Sequence, residues 1–337
     1  MVIGGKAVCS FSSFWSELYC ETTDRSVEEP ATSTRMTLGG KSCEPMKPAP
    51  FSYFSPRSIG EVLELLAQYG PDARVLAGGQ SLVPLINLRM ARPDVLIDLS
   101  HCDDLKKIEH TGSGIRYGAM IRQYDAQLAK VTREHCPLVS MALAHAGPVA
   151  VRNRATVGGT LAHADRSAEL PGVAVAMNAT LVIESHSGTR EVRADQFFRG
   201  DMTTCIEAHE LLRSVTFPAT DHSCFCHFLE VGLRQEGVAI AGIAALIRFD
   251  DGGTVKDPRF AVVGVEAAPV RLKALESELV GRALTPAIIA GARNLGGQEL
   301  DPAADAHASA SYRRRLTASL VEEALERALQ WRRHELQ

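Results

Sequence analysis

LAGGQSLVP at residues 76–84 and VRNRATVGGTLAHAD at residues 151–165 decide how this chain is interpreted. In each stretch a Gly-Gly pair follows an extended segment and leads into a helix or a loop. Adjacent glycines allow positive φ and let the backbone approach a ligand closely. Consecutive N–H groups in such a turn can form a concave anion site, and the start of a helix adds to its field. Both stretches are therefore candidate phosphate-binding loops.

The side chains beside the glycine pairs support this interpretation. Gln80, Ser81, Thr156 and Thr160 add hydrogen-bond donors, so that a pyrophosphate held between the loops needs no lysine. Neither the P-loop pattern nor the G-x-G-x-x-G fingerprint occurs, however. From these residues alone, two ordinary turns remain an open alternative.

Hydrophobic spacing predicts alternating helices and strands from about residue 46. Ser58 and Glu61 form a predicted capping box for a helix that ends at Gly70-Pro71. In this first part the predicted strands are separated by segments long enough to form a helix, which favours parallel pairing. The later predicted elements are a strand at 74–77, a helix at 81–89, a strand at 95–99, a hairpin over 107–117, helices at 124–132 and 138–145, a strand pair at 179–184 and 190–193, antiparallel strands at 239–249 and 259–266, and helices at 270–279, 285–292 and 312–332.

The chain divides into four predicted segments. Residues 1–45 lack periodicity and are predicted to be a disordered extension. A second hypothesis is that translation starts at Met46, which N-terminal sequencing would test. The remaining boundaries are predicted at 46–100 and 101–221, two sub-domains of one domain, and at 222–337, a C-terminal domain.

Composition narrows the functional classes. The net charge of −4 among 337 residues argues against nucleic-acid binding, and Arg313 to Arg315 fit a solvated helix face. No apolar run is long enough for a membrane span and no secretory signal is recognisable, so we expect a cytoplasmic protein. The eight cysteines are scattered, so an iron–sulfur cluster is expected only on another chain.

Taken together, these blocks resemble a known family. From Met46 to Arg333 the chain is similar to the FAD-binding middle subunit of the molybdenum hydroxylases, which include carbon monoxide dehydrogenase and xanthine dehydrogenase. Lys47 to Tyr53 matches the family's opening K-P-x-x-F-x-Y, and Ala168 to Pro171 continues the second glycine block. The joint occurrence of these blocks at this spacing is far more specific than either Gly-Gly pair.

The resemblance implies an α+β fold of the vanillyl-alcohol-oxidase (PCMH) type, with two α/β sub-domains around FAD and a small C-terminal α+β domain. It implies that the first loop binds the pyrophosphate, that the second binds it from the other side, and that polar residues after the second loop face the ribityl or adenosine part. No catalytic residue and no metal ligand is expected on this chain. The implied FAD-binding residues are Leu76, Ala77, Gly78, Gly79, Gln80, Ser81, Thr156, Val157, Gly158, Gly159, Thr160, His163, Asp165, Glu169 and Leu212.

The resemblance also implies partners. A large subunit would hold the molybdenum cofactor and a small subunit two 2Fe–2S clusters. The three chains would form a heterotrimer that dimerises, and its FAD would deliver electrons to a terminal acceptor. Leu233 and Gly237 stand where relatives often carry arginine and aspartate, and Met202 where an aromatic residue is frequent. These departures concern the flavin environment and the acceptor. A free-standing FAD-dependent oxidase or dehydrogenase, and a scaffold subunit that has lost FAD, are the alternative functions.

Overall fold

A computed structural model of the chain describes residues 47–221, 223–234 and 237–335. The predicted extension at 1–45 and the proposed start at Met46 lie outside the described residues. The strands are β1 Ser52–Phe54, β2 Ala73–Leu76, β3 Val95–Asp98, β4 Ile108–Thr111, β5 Gly114–Gly118, β6 Thr180–Ser185, β7 Gly188–Arg193, β8 Phe198–Gly200, β9 Thr203–Thr204, β10 Leu211–Pro218, β11 Cys224–Gly232, β12 Ala239–Phe249, β13 Val255–Val263 and β14 Val270–Arg271. The α-helices are α1 Ile59–Tyr69, α2 Leu82–Asn87, α3 Gln123–Leu128, α4 Lys130–His135, α5 Pro137–Leu143, α6 Val149–Arg152, α7 Val157–His163, α8 Glu169–Ala176, α9 Ala194–Phe197, α10 Lys273–Leu279, α11 Pro286–Gln298 and α12 Ala310–Glu335.

The first sheet has the order β1-β3-β2 and is parallel, which confirms the predicted pairing. Strand β1 was not predicted. The cap of α1 is half of the predicted box: the Ser58 hydroxyl accepts from the Glu61 N–H at 3.2 Å, but the Glu61 carboxylate accepts from the Arg57 N–H. Helix α1 ends at Gly70, whose φ is 45°.

The second sheet is antiparallel, in the order β4-β5-β10-β6-β7. Its two outer hairpins, β4-β5 and β6-β7, confirm the hairpin predicted over 107–117 and the strand pair predicted at 179–184 and 190–193. The central strand β10 has no predicted counterpart, because it is covered on both faces and therefore lacks a simple alternation of buried and exposed residues. This missed strand carries Leu212.

The third sheet is also antiparallel, in the order β11-β12-β13-β14. The predicted antiparallel pairing of β12 and β13 is confirmed. The prediction of a helix from residue 270 is wrong at its start: Val270 and Arg271 pair with Val262 and Ala261 as β14, and the helix begins at Lys273. Pairing across an available strand edge outweighs local helical spacing there.

Helix α8 joins the second and third sheets. One buried cluster contains Leu181 and Val215 from the second sheet together with Phe228 and Ala244 from the third. A Cβ added to Gly172 of α8 would lie 2.5 Å from Cγ1 of Val263, so only glycine fits this approach between the helix and β13. The third sheet is thus part of the core beneath the second one.

Because Gly172 of α8 lies so close to Val263 of β13, we expect Gly172→Ala to lower the free energy of unfolding by about 1–3 kcal/mol, the usual cost of overpacking a core. Gly291→Ala is the matched control, because Gly291 is exposed on α11 and a Cβ there meets nothing within 4 Å. There alanine should stabilise the helix by up to about 1 kcal/mol. Urea unfolding of both variants measures the difference, and equal effects would contradict the packing argument.

Candidate functional site

A cavity of about 710 Å³ lies where the two glycine loops meet, a volume in the range of sites for cofactor-sized molecules. Residues of β10 and the segment before β12 complete its lining. The structure brings the following sequence-predicted residues together in its wall: Ala77, Gly78, Gly79, Gln80, Ser81, Thr156, Gly158, Gly159, Thr160, His163, Asp165, Glu169 and Leu212.

Two of the predicted residues, Leu76 and Val157, do not line the cavity. Val157 is fully buried in the core cluster, so its side chain holds the second loop from behind. Leu76 is the last residue of β2 and is only partly buried. Neither residue lines the cavity, so their implied role in FAD binding stays a prediction.

The two loops are held together by a backbone contact that excludes a side chain. A Cβ added to Gly78 would lie 2.3 Å from the carbonyl oxygen of Arg154 and 2.8 Å from Cα of Ala155. A Cβ at Gly159 would lie 3.5 Å from Cβ of Ala77. The glycines therefore serve loop-to-loop contact as well as access to the cavity.

The first loop offers free donors. Within the described part of the chain, no group accepts from the backbone N–H of Gly79, Gln80 or Ser81. Gly79 has φ 75°, which bends the turn, and the Gln80 side chain donates to the Gly78 carbonyl at 3.2 Å. Successive free N–H groups at a positive-φ turn are suited to an anion. Helix α2 begins at Leu82 and has only six residues, so the loop N–H groups, and not the helix dipole, are the main candidate for an anion-binding element.

The second loop corrects the expectation of a similar anion nest. The N–H of Val157 donates to Ile121, that of Gly158 to Ala119, and that of Thr160 to Thr156, at 2.9–3.1 Å. The remaining N–H, on Gly159, donates to the Thr156 hydroxyl at 2.9 Å as the cap of α7. Because these donors are used within the fold, this loop offers a close glycine surface and the Thr160 side chain.

The polar residues after the second loop surround the cavity from different elements. His163 lies in the last turn of α7, and Ala164 ends that helix with φ 52°. Oδ1 of Asp165 accepts from the Ser167 N–H at 2.8 Å and from its hydroxyl at 2.6 Å. Glu169 is the first residue of α8, so Asp165 and Glu169 do not share a helix face as their spacing allowed.

Glu169 is a buried carboxyl group in the cavity wall, with 8% of its surface exposed. Burial and then the charge of Glu230 raise the pKa of Glu169 to about 8, with Asp165 adding to the effect and Arg152 opposing it. Burial also raises the pKa of Glu230, to about 7. At neutral pH both carboxyl groups are therefore at least partly protonated, and a protonated carboxyl group can donate a hydrogen bond.

Gln123 had no counterpart in the sequence prediction, whereas Met202, Leu233 and Gly237 were named there as departures that concern the flavin environment and the acceptor. Gln123 is 4% exposed, lines the cavity, and its Oε1 has no hydrogen-bond partner among the described residues. Met202 also lines it, with φ 50° and its N–H donating to Ala164 at 2.9 Å. Gly237 lies at the cavity, whereas Leu233 is 69% exposed and outside the lining. An isolated glutamine gives no sequence signal for such a role.

Two other features bear on the site. Among the described residues, no group of three or more His, Cys, Asp or Glu side chains is arranged to hold a metal ion. The helices of this part of the chain are too short or too polar to cross a membrane.

Comparison with known proteins places these features in a family. The family description "FAD binding domain in molybdopterin dehydrogenase" matches residues 49–220, and "CO dehydrogenase flavoprotein C-terminal domain" matches residues 227–328. The chain is 35% identical to the 6-hydroxypseudooxynicotine dehydrogenase complex subunit alpha of Paenarthrobacter nicotinovorans, over 84% of this chain and 96% of that one.

Solved structures agree with the sequence comparison. The carbon monoxide dehydrogenase of Hydrogenophaga pseudoflava, in a form lacking the Mo-pyranopterin moiety of its molybdenum cofactor, contains a chain with 33% identity and a TM-score of 0.81. That match covers 84% of this chain and 99% of the other. Quinoline 2-oxidoreductase from Pseudomonas putida 86 gives 34% identity and a TM-score of 0.80, over 84% and 98% of the two chains.

The raised pKa of Glu169 predicts a pH dependence of stability. Its ordinary value is 4.5, so between about pH 4.5 and 8 the folded chain keeps a proton that the unfolded chain releases. The free energy of unfolding should therefore fall as pH rises through this window, by at most about 1.4 kcal/mol per pH unit. Glu169→Gln should flatten the fall and make the cofactor-free chain more stable than wild type at pH 8. Urea unfolding from pH 5 to 8 measures how the free energy of unfolding changes with pH. The exposed Glu64→Gln variant is the control and should keep the wild-type slope.

Proposed function

We propose, since the chain belongs to the family of FAD-binding subunits of the molybdopterin dehydrogenases, that it passes electrons from the 2Fe–2S clusters of a partner through FAD to a terminal acceptor. The observation that supports this most directly is the cavity between the two glycine loops, where free N–H groups at residues 79–81 face a close glycine surface. It has the donors for a pyrophosphate and the volume for a larger group attached to it.

The residues of the cavity fit FAD in three ways. The free N–H groups of the first loop would bind the pyrophosphate, and the second loop would close over it from the other side. His163, Asp165 and Glu169 would bind the ribityl or adenosine part, with a protonated Glu169 as a donor. Leu212, which is 5% exposed at the cavity, would contact the flavin ring.

FAD supplies the redox chemistry when bound, because it exchanges electrons with both one- and two-electron partners. The chain's own residues bind and orient the cofactor and keep water from its buried side. Gln123 adds an acceptor that has no partner among the described residues, and Glu169 adds a proton donor to the polar part of the wall. None of these groups is required as a base acting on an external substrate, in line with an electron-transfer subunit.

The partners follow from the family. Medium subunits of this family work in complexes with a large and a small subunit, and we propose that here the large one holds the molybdenum cofactor and the small one the iron–sulfur clusters. We further propose a dimer of heterotrimers, a cytoplasmic location, and domain boundaries after residues 100 and 221. The matched ranges 49–220 and 227–328 support the second boundary.

The backbone contact of the first loop gives a sharp test of the FAD site. Gly78→Ala should abolish FAD retention on purification, because its methyl group must push apart the Arg154 carbonyl and the loop. Gly60→Ala is the control, since a Cβ there has only the Ser58 hydroxyl near it, at 3.9 Å. Flavin absorbance per chain is the measurement, and full FAD content in the Gly78 variant would contradict the proposed role of the contact.

The proposed assembly is tested by purifying the protein with its partners from the native host and measuring cofactors. We expect one FAD per copy of this chain, with molybdenum and iron in the same complex. Flavin without metals, together with substrate turnover by the isolated chain, would favour a free-standing flavoenzyme. A complex with metals but no flavin would favour a scaffold subunit.

A further inference from the structure

The loop between α7 and α8 contributes Asp165, Ser167 and Ala168 to the wall of the cavity. Arg166 lies between them but is not part of the lining. Its guanidinium instead donates through Nη2 to Oδ2 of Asp305 at 2.5 Å. The loop therefore faces the cavity on one side and is anchored on the other by a residue far along the chain, in the range matched by the C-terminal family description.

Asp305 is itself firmly held. The same Oδ2 accepts from Nη2 of Arg313 at 2.5 Å, while Oδ1 accepts from the N–H groups of His307 and Ala308 at 2.9 Å each. Burial acts to raise the pKa of Asp305, but these hydrogen bonds and the charge of Arg313 outweigh it and hold the pKa below its ordinary value. The carboxylate stays ionised between two guanidinium groups, with 7% of its side chain exposed.

Arg313 connects this ion pair to the third sheet. Its side chain is 2% exposed, and Nη1 donates to the carbonyl of Ile240 at 2.6 Å and to that of Gly264. The backbone of Arg166 meets the same place, because its carbonyl accepts from the Gly264 N–H at 2.7 Å. The position of the cavity loop is thus set by α12 and the ends of β12 and β13.

We propose that Asp305 is a positioning residue for the cofactor: by binding Arg166 it holds the loop at residues 164–168 in the shape that receives FAD, and so couples the C-terminal region to the affinity for FAD. This inference rests on the proposed function. Arg313 alone would neutralise Asp305, so the second guanidinium is not needed to bury that carboxylate. Arg166 instead links Asp305 to the loop. A loop that packed elements already hold in place loses less entropy when it binds a ligand, so its affinity is higher.

The test compares the full chain with Arg166→Gln, Asp305→Asn and the double variant. Arg166→Gln leaves the pair of Asp305 and Arg313 in place, so it is the variant that keeps the core intact even if Asp305→Asn fails to fold. Asp301→Asn is the matched control, because Asp301 pairs with Arg314 at 3.0 Å from a side chain that is 99% exposed. The dissociation constant for FAD is measured by titration on cofactor-free protein, beside its thermal unfolding and the visible circular dichroism of bound FAD.

We expect Arg166→Gln to raise the dissociation constant about tenfold and to change the circular dichroism of bound FAD. The double variant should bind FAD no more weakly than the weaker single variant, since both substitutions break one link. The control should bind as wild type does. Wild-type affinity in the Arg166 variant, or fully additive losses in the double variant, would overturn this inference alone. A wild-type chain that binds no FAD would overturn the proposed function with it.

Discussion

The close backbone contact between Gly78 and the carbonyl of Arg154 is the constraint on which the cavity depends. It joins the end of the first, parallel sheet to the chain just before α7, so two separately folded elements share one wall. A side chain at that point would part them by more than an ångström, and the cavity would open on one side. The contact explains why the first glycine is needed even though its own φ is not positive, whereas Gly79 is needed for the turn.

The two loops look alike in sequence but differ in physical role. The N–H groups of the second loop are used by the fold, which makes that loop a rigid surface fixed to β5 and α3 through Ala119 and Ile121. Among the described residues, no group accepts from the N–H groups of the first loop at residues 79–81. The donors suited to the proposed anion are therefore concentrated on one loop, while the other would limit where the anion can lie. Such a division keeps the entropic cost of binding low, because only the first loop has donors that a ligand would have to satisfy.

The sequence predicted much of this arrangement. Its local patterns predicted the parallel first sheet and the outer hairpins of the second, and nearly all of the residues that the resemblance implied lie in the wall of the cavity. It could not predict β10, whose burial on both faces removes the periodic signal. It also could not distinguish free from satisfied N–H groups, because that depends on where Ala119 and Ile121 lie in space. Gln123 and Asp305 were missed because their roles depend on the folded structure: Gln123 lies in the cavity wall, and Asp305 binds Arg166, which is far from it in sequence.

The third sheet has a larger part in the site than its position in the chain suggests. It supports α8 through the approach of Gly172 to Val263, and α8 begins with Glu169 in the cavity wall. It also carries Glu230, whose charge raises the pKa of Glu169. A carboxyl group is costly to bury ionised, and a second one nearby makes the cost greater, so the proton is retained at neutral pH. The C-terminal region thereby contributes to the charge state of a group in the cavity, as well as to the position of the loop that leads to it.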